Sequence, residues 1–329
     1  MIPKVGLLYD YNYKIGTGHK YRMKALSEYL NRSGIFYKEF PNFFYETVYK
    51  NKDQTEFINR ILSENLDVVL FDLSTELYIK ESKYDLVSII NNLKIANKNV
   101  VLIDGIFKED CLHKNVSTKS DLIIIPYFLA KEEKFITTLG NKFLLGEEYF
   151  IYSYTINTLK SKKVKKEDFI LISLGGSYSK DMYNLLDFVT SDPYLNKFEY
   201  KIITPDKRIR DMFHNQNIHV LNLMEYQNFL YLLKKAKLVI TSTGLTKYEA
   251  LSLNTPVIVW SQDKRFKTYH KKLEKFLPLK YCDSIEELSI SVEKLLSSTF
   301  NYNLPTKGGE KICKILTKLL YSEREKLQN

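Results

Sequence analysis

The stretch Ile15-Gly16-Thr17-Gly18-His19-Lys20-Tyr21-Arg22 decides how the chain is read. It follows Val5-Gly6-Leu7-Leu8-Tyr9, an apolar run of strand character. It leads into Met23-Lys24-Ala25-Leu26-Ser27-Glu28-Tyr29-Leu30, where apolar residues recur at helical spacing. Strand, glycine turn and helix start, in that order, put the turn at the carboxyl end of a strand, the rim where open α/β sheets bind ligands. Two glycines let a ligand approach the backbone, helix-start N–H groups favour anions, and histidine is the side chain suited to proton exchange near neutral pH. The stretch is not a dinucleotide fingerprint, because Tyr21 stands where a third glycine is required, and no Gly-Lys-Ser/Thr follows to make a P-loop. Taken alone, it fits equally a tight turn whose histidine caps or packs.

Working outward, the first half alternates β-rich runs with helical stretches. Strands are expected at Ile35–Phe40, Asp67–Asp72, Val100–Gly105 and Leu122–Pro126. Their spacing argues for parallel strands joined by crossover helices. Asp72 and Asp104 close two of these strands and so point to the rim of the glycine turn, although a helix cap or turn explains an aspartate there as well. Lys160-Ser161-Lys162-Lys163-Val164-Lys165-Lys166 reads as an exposed linker. The pattern then restarts with Phe169–Leu174 ended by Gly175-Gly176-Ser177, strands at Tyr200–Thr204 and His219–Leu221, and a helix over Met224–Lys235. It continues with Leu238–Ser242, the turn Thr243-Gly244, a helix from Leu245 to Leu253, a strand at Pro256–Trp260, and a last basic helix opened by Lys307-Gly308-Gly309-Glu310. Two α/β halves in succession imply two doubly wound domains facing a cleft.

Composition agrees with a globular protein of two domains: 329 residues, 44% hydrophobic and 27% charged. No run is long and apolar enough to span a membrane, and the amino terminus shows no signal-peptide pattern. The three cysteines, Cys111, Cys282 and Cys313, are scattered and odd in number, as expected in a reducing cytoplasm. A net charge of +10 reads as a lysine-rich solvated surface, or as attraction to phosphates or an anionic membrane. Nucleic acid is not expected, since neither zinc-finger spacing nor an aromatic RNP-type strand is present. No cofactor is called for. The absence of Asp-x-Asp and of a tight His/Cys/carboxylate cluster gives no reason to expect a metal. His214 and His219 read as surface histidines and His270 as a solvated one.

Asp10, Gly16-Thr17-Gly18-His19-x-x-Arg22, Leu144-Leu145-Gly146-x-x-Tyr149, Ile172–Ser177, Thr243–Leu251, Asn254-Thr255-Pro256 and Gly308–Ile312 follow one another in this order. In that order they resemble the nucleotide-sugar enzymes of GT-B fold. More narrowly, they resemble the pseudaminic-acid-pathway UDP-sugar hydrolase and its spore-coat-polysaccharide relatives, which are also similar to the lipid-II-forming N-acetylglucosaminyltransferase. The resemblance implies an α/β, GT-B-like architecture of two Rossmann-like domains. Residues 1–150 would form the sugar-side domain, 151–167 a linker, 168–309 the nucleotide-binding domain, and 310–329 a helix packing back on the first domain. It implies His19 as the catalytic base, with Asp10, Gly16, Thr17, Gly18, Arg22, Asp72 and Tyr149 on the substrate side. In the second domain it implies Gly244, Leu245 and Thr246, after Thr243, at the diphosphate, Glu249 at the ribose, and Gly175, Gly176 and Ser177 lining the same pocket. The spacing Thr246-x-x-Glu249 also fits a capping box.

The chain departs from the family on the sugar side. Leu8 stands in place of an arginine, Gly105 in place of a second aspartate, and Asp263–His270 replaces an Asn-Gln pair. The function implied is hydrolysis of a UDP-linked sugar in surface-glycan or nonulosonic acid synthesis. The alternatives are a glycosyltransferase using the same donor and a non-catalytic subunit that binds the nucleotide-sugar. The expected partner is a UDP-sugar. The basic run Lys264–Lys272 could add an anionic acceptor or a membrane surface, so the location expected is cytoplasmic or peripheral at a membrane.

Overall fold

The computed structural model describes residues 4–11, 17–73, 86–106, 119–132, 142–175, 180–213, 217–261, 266–300 and 302–328. The chain forms two compact units, Met1–Tyr154 with Pro305–Asn329, and Thr155–Leu304.

The first unit is built on a six-stranded parallel sheet. Its elements run β1 (Lys4–Tyr9), α1 (Gly18–Arg32), β2 (Phe36–Pro41), a π-helical segment (Tyr45–Lys50), α2 (Gln54–Ser63), β3 (Val68–Asp72), α3 (Leu86–Ile95), β4 (Asn99–Ile103), β5 (Leu122–Ile125) and β6 (Phe143–Leu145). The spatial order is β2-β1-β3-β4-β5-β6. Every residue of β3, β4 and β5 is buried. Both faces of these strands are covered, so their sequences are continuous apolar runs rather than alternating ones. Burying each such side chain contributes about 1.5–3 kcal/mol. Because β2 and β3 lie on opposite sides of β1, the winding reverses between β1 and β3. That reversal is the topological switch point of this sheet.

The second unit carries α4 (Tyr154–Ser161), β7 (Phe169–Ser173), α5 (Lys180–Ser191), β8 (Glu199–Ile203), α6 (Lys207–Met212), β9 (Ile218–Leu221), α7 (Tyr226–Lys235), β10 (Leu238–Thr241), α8 (Thr246–Ser252), β11 (Val257–Trp260), α9 (Lys267–Leu273), β12 (Leu279–Cys282) and α10 (Glu286–Leu296). Its order, β12-β11-β10-β7-β8-β9, counts within the unit as 3-2-1-4-5-6 read from the β9 edge. This is the dinucleotide-fold order, with its switch point between β7 and β10. Thr241 Oγ1 donates to Ser173 O at 2.7 Å and joins the two strands at that point.

The last helix, α11 (Gly308–Gln328), packs against α1 in the first unit. Its two opening glycines make that approach possible. A Cβ on Gly309 would run into the Tyr29 ring, and one on Gly308 into the backbone of Phe150.

The sequence expectation differs at several places. Strands β6 and β12 were not expected, β6 being a run of three residues and β12 a run broken by Lys280. In the segment 160–166, Ser161, Lys162, Lys163 and Lys165 are exposed as expected, while Lys160 and Lys166 are half-buried. The segment continues from α4 inside the second unit, where Lys160 Nζ donates to Leu304 O at 2.6 Å and Lys166 Nζ to Thr255 Oγ1. A lysine stem can lie along apolar surface while its ammonium reaches an acceptor, so a high lysine count does not by itself mean full exposure. No helix among the described residues is long and apolar enough to cross a membrane.

Candidate active site

The start of α1 and the end of β3 meet at the switch point of the first sheet, and the side chains of His19, Arg22, Asp72 and Tyr127 converge there. Helix α1 starts at Gly18, with Thr17 as its N-cap residue making no side-chain cap bond. This puts His19 and Arg22 three residues apart, on one face of the first turn. His19 Nδ1 lies 2.7 Å from Asp72 Oδ1. Arg22 grips the same carboxylate from two sides, Nε donating to Oδ2 and Nη2 to Oδ1, each at 2.7 Å. Its Nη1 donates to Tyr127 Oη at 3.0 Å. Asp72 is fully buried and Arg22 nearly so, while the His19 side chain keeps 19% of its surface exposed.

The electrostatics follow from this packing. Burial alone would raise the Asp72 carboxyl, but Arg22 and then His19 hold it below the usual carboxylate range. Burial likewise opposes the Arg22 cation, and Asp72 and Tyr127 more than offset it, so its pKa lies above the ordinary arginine value. An ionised Asp72 can only accept hydrogen bonds, so His19 Nδ1 carries the hydrogen. Arg22 Nη2 is also 3.3 Å from that nitrogen, but its shorter contact is to Asp72. The lone pair of His19 therefore sits on Nε2, the nitrogen that can take a proton.

The other first-unit residues are placed as follows. Gly16 lies outside the described residues. Asp10 is fully buried and its Oδ1 accepts from the Tyr45 backbone N–H at 3.3 Å, at the start of the π-helical segment. Tyr149 ends a 3-10 turn, with Lys311 Nζ 5.6 Å from its ring centroid. Asp104 bonds the next backbone N–H, that of Gly105, at 2.7 Å.

In the second unit, the glycine turns after β7 and β10 lie side by side at the switch point. Gly175 has φ +108°, a conformation strained for any other residue. A Cβ on Gly175 or Gly244 would, among the described residues, make only ordinary contact with Ser242 Oγ, at 3.9 and 3.8 Å. Gly176 and Ser177 lie outside the described residues. Helix α8 begins at Thr246 with Leu245 as N-cap and no side-chain cap bond, so the capping box that the spacing allowed is not formed. Glu249 instead turns to α7, where Tyr226 Oη donates to its Oε1. Burial pushes the Glu249 carboxyl up to about 7, partly opposed by that bond.

No protein-family model matches the chain. It is 24% identical over 313 residues to an uncharacterized protein of Methanocaldococcus jannaschii, a match covering 83% of this chain and 59% of that protein. The chain thus spans less than two thirds of the curated relative it matches. Among solved structures, the UDP-GlcNAc 2-epimerase of M. jannaschii with UDP-GlcNAc and UDP is similar, with TM-score 0.64, 16% identity, and coverage of 95% of this chain and 99% of that one. S. aureus MnaA with UDP has TM-score 0.65 at 14% identity, covering 97% of each chain. The spinosyn rhamnosyltransferase with thymidine diphosphate has TM-score 0.60 at 13% identity, covering 98% of this chain and 100% of that one.

The fold is GT-B-like. At these identities the likeness concerns the fold, and the hydrolase part of the sequence resemblance rests on motifs alone.

Several residues of this GT-B-like chain were not singled out from sequence. Tyr127 anchors Arg22 and Tyr226 anchors Glu249. Lys247 is buried, its ammonium bonded to the carbonyls of Thr243 and Gly244, and burial lowers its pKa to about 7. His270, expected to be solvated, is buried. Its Nδ1 donates to Phe266 O at 2.8 Å, its ring stacks on Tyr281, and its Nε2 has no partner among the described residues. Burial, and then Lys247, lower its pKa to about 3. The basic run is also less free than expected. Lys267 pairs with Asp283 at 2.8 Å and Lys271 with Glu274 at 3.3 Å, while 264–265 lie outside the described residues. His219 is exposed as expected, and His214 lies outside the described residues.

Proposed function

We propose that the protein hydrolyses a UDP-linked sugar to free sugar and UDP, with His19 as general base. The observation that carries this reading is the His19–Asp72–Arg22 cluster at the switch point of the first sheet. An imidazole fixed through Nδ1 by a buried carboxylate, in a side chain that keeps 19% of its surface exposed, is an arrangement that suits proton abstraction from a hydroxyl by Nε2. In the reaction, water oxygen bonds to the anomeric carbon, its proton passes to His19 Nε2, and the bond from that carbon to the diphosphate breaks, leaving its electron pair on the departing oxygen. Arg22, with its donors on Asp72 and Tyr127, serves to hold Asp72, and Thr17, Gly18 and Tyr149 fall to the sugar side. In the second unit, Gly175, Gly244, Leu245 and Thr246 would receive the diphosphate and Glu249 the ribose. That no described atom beyond the chain neighbours comes nearer than 3.8 Å to a Cβ at either glycine supports this assignment. The UDP named in two of the structural neighbours supports it as well.

The second reading is glycosyl transfer, with the same base acting on a sugar or lipid-linked hydroxyl. The likeness to a rhamnosyltransferase over almost the whole chain favours it. Both readings are tested by incubating the protein with a panel of UDP-sugars and following UDP release, with NMR of the sugar product. Hydrolysis gives UDP and free sugar in stoichiometric amounts with no acceptor added. Release that requires a hydroxyl acceptor supports transfer instead. An epimeric UDP-sugar formed without UDP release overturns both.

A further inference from the structure

We propose that Tyr226 is a positioning residue of the nucleotide site: its hydroxyl holds Glu249 by one carboxylate oxygen, leaves the other for the ribose hydroxyls, and couples nucleotide binding to loss of a proton from Glu249. This rests on the nucleotide reading above. Tyr226 is the first residue of α7 and Glu249 the fourth of α8, two helices packed together in the second unit. The tyrosine hydroxyl donates to Oε1, and among the described residues no donor reaches Oε2.

Among the described residues no cation pairs with this carboxylate. Strands β10 and β11, which pack on α8, offer Leu238–Thr241 and Val257–Trp260, with no titratable group. Lys247, on the same helix, spends its ammonium on the carbonyls of Thr243 and Gly244. Helix α9 reaches α8 through the Tyr269 hydroxyl, 2.8 Å from that of Tyr248, and its His270 is buried and neutral beside Lys247. Glu249 is therefore about half protonated near pH 7 in the empty protein. A ribose offers two O–H donors on neighbouring carbons. An ionised carboxylate accepts both, whereas the protonated acid turns a hydrogen toward them. The nucleotide thus selects the ionised form, and the proton passes to the solvent.

The size of the coupling follows from linkage. With a free-protein pKa of about 7, affinity for a ligand that binds only the ionised form falls about 30-fold between pH 8.5 and pH 5.5. Replacing Tyr226 by Phe keeps the ring and removes the bond that favours the carboxylate. This moves the midpoint up by about one unit. Affinity then drops about fivefold at pH 7 and less than twofold at pH 8.5, a pattern that a general loss of packing would not produce.

The test is calorimetry of UDP-N-acetylglucosamine binding to the full chain carrying His19→Asn, which prevents turnover. It is run from pH 5.5 to 8.5 in buffers of different ionisation enthalpy, with and without Tyr226→Phe. It is paired with carboxyl-carbon NMR titration of Glu249 in the free proteins. The expected results are proton release on binding near pH 7, a Glu249 midpoint near 7, and an upward shift of both midpoints in Tyr226→Phe. Binding that is independent of pH, or a Glu249 midpoint that Tyr226→Phe leaves in place, overturns this inference and leaves the nucleotide reading standing. No binding of the nucleotide-sugar or of UDP at pH 8.5, where Glu249 is ionised, overturns the nucleotide reading itself.

Discussion

Replacing Asp72 by Asn tests whether the first-unit cluster is held by charge. The side chain keeps its shape and loses its charge. The wild-type carboxylate takes three contacts of 2.7 Å, one from His19 and two from Arg22. In the variant, Arg22 stays at 5% exposure with Tyr127 and one amide oxygen as its remaining partners. Removing one member of a buried ion pair costs about 3–5 kcal/mol, because the other is left uncompensated. Total stability is about 5–15 kcal/mol for an ordinary protein, so the variant should fold but open readily. Hydrogen exchange read by peptide should show protection lost in β1, α1 and β3 and retained in β7 and β10. The acid limb should change as well. Asp72 has a folded pKa below its unfolded value, so its contribution is complete above about pH 4 and is lost as pH falls through the folded pKa. The variant should lack that part of the acid dependence. The double variant Asp72→Asn/Arg22→Met, which removes both charges, should be more stable than the sum of the single losses predicts. A cost below about 1 kcal/mol for Asp72→Asn, or strict additivity with Arg22→Met, would refute the buried ion pair.

Three further outcomes are expected. His19→Asn should lower turnover of the identified UDP-sugar by about 10²–10⁴-fold, the usual contribution of a general base, with UDP affinity by calorimetry unchanged; near-full turnover would move the base elsewhere. Gly309→Ala should destabilise the first unit by about 1–3 kcal/mol in urea denaturation, because its methyl meets the Tyr29 ring. His270 has a folded pKa lowered to about 3, so the unfolded chain takes up a proton that the folded state refuses. His270 should therefore remove about 1.4 kcal/mol of stability for each pH unit below about 6.5, against the opposite contribution of Glu249, whose carboxyl is raised to about 7. Denaturation series of both proteins at pH 7 and pH 5 should show the stability of the wild type relative to His270→Asn falling by about 2 kcal/mol between the two pH values; a difference independent of pH would refute the buried neutral imidazole.

What could be read from sequence depended on how local the signal was. The parallel strands were legible because burial on both faces leaves unbroken apolar runs such as Val68-Val69-Leu70-Phe71. Strands β6 and β12 were not, because β6 is only three residues long and β12, Leu279-Lys280-Tyr281-Cys282, is broken by a lysine where four-residue strands such as Leu122-Ile123-Ile124-Ile125 are unbroken. His19 stood out because a glycine turn and a helix start frame it, and Asp72 because it ends a strand. Tyr127 carries no such mark, being one of 25 tyrosines and 105 positions from the arginine it bonds. Lys247 and His270 were hidden for the opposite reason. Charged and basic surroundings suggest solvent, yet Lys247 reaches turn carbonyls along its stem, and α9 buries Tyr269, His270 and Leu273 on one side.

The two switch points handle buried charge in opposite ways, and this bears on what each one does. In the first unit, Asp72 and Arg22 neutralise one another in fixed geometry, so little of that charge is left to attract a ligand. What remains is an oriented imidazole, which suits chemistry more than binding. In the second unit, Lys247 and Glu249 each lie deep on one short helix with no opposing charge beside them among the described residues, and both are held near a pKa of about 7. Burial without compensation disfavours the charged forms in the empty protein. A ligand that brings a diphosphate toward the turn Lys247 supports, and hydroxyls toward Glu249, supplies the missing partners and favours both ionised forms. The division of labour in the proposed function therefore has an electrostatic origin, with charge satisfied internally where a proton must move and left unsatisfied where a nucleotide must be held.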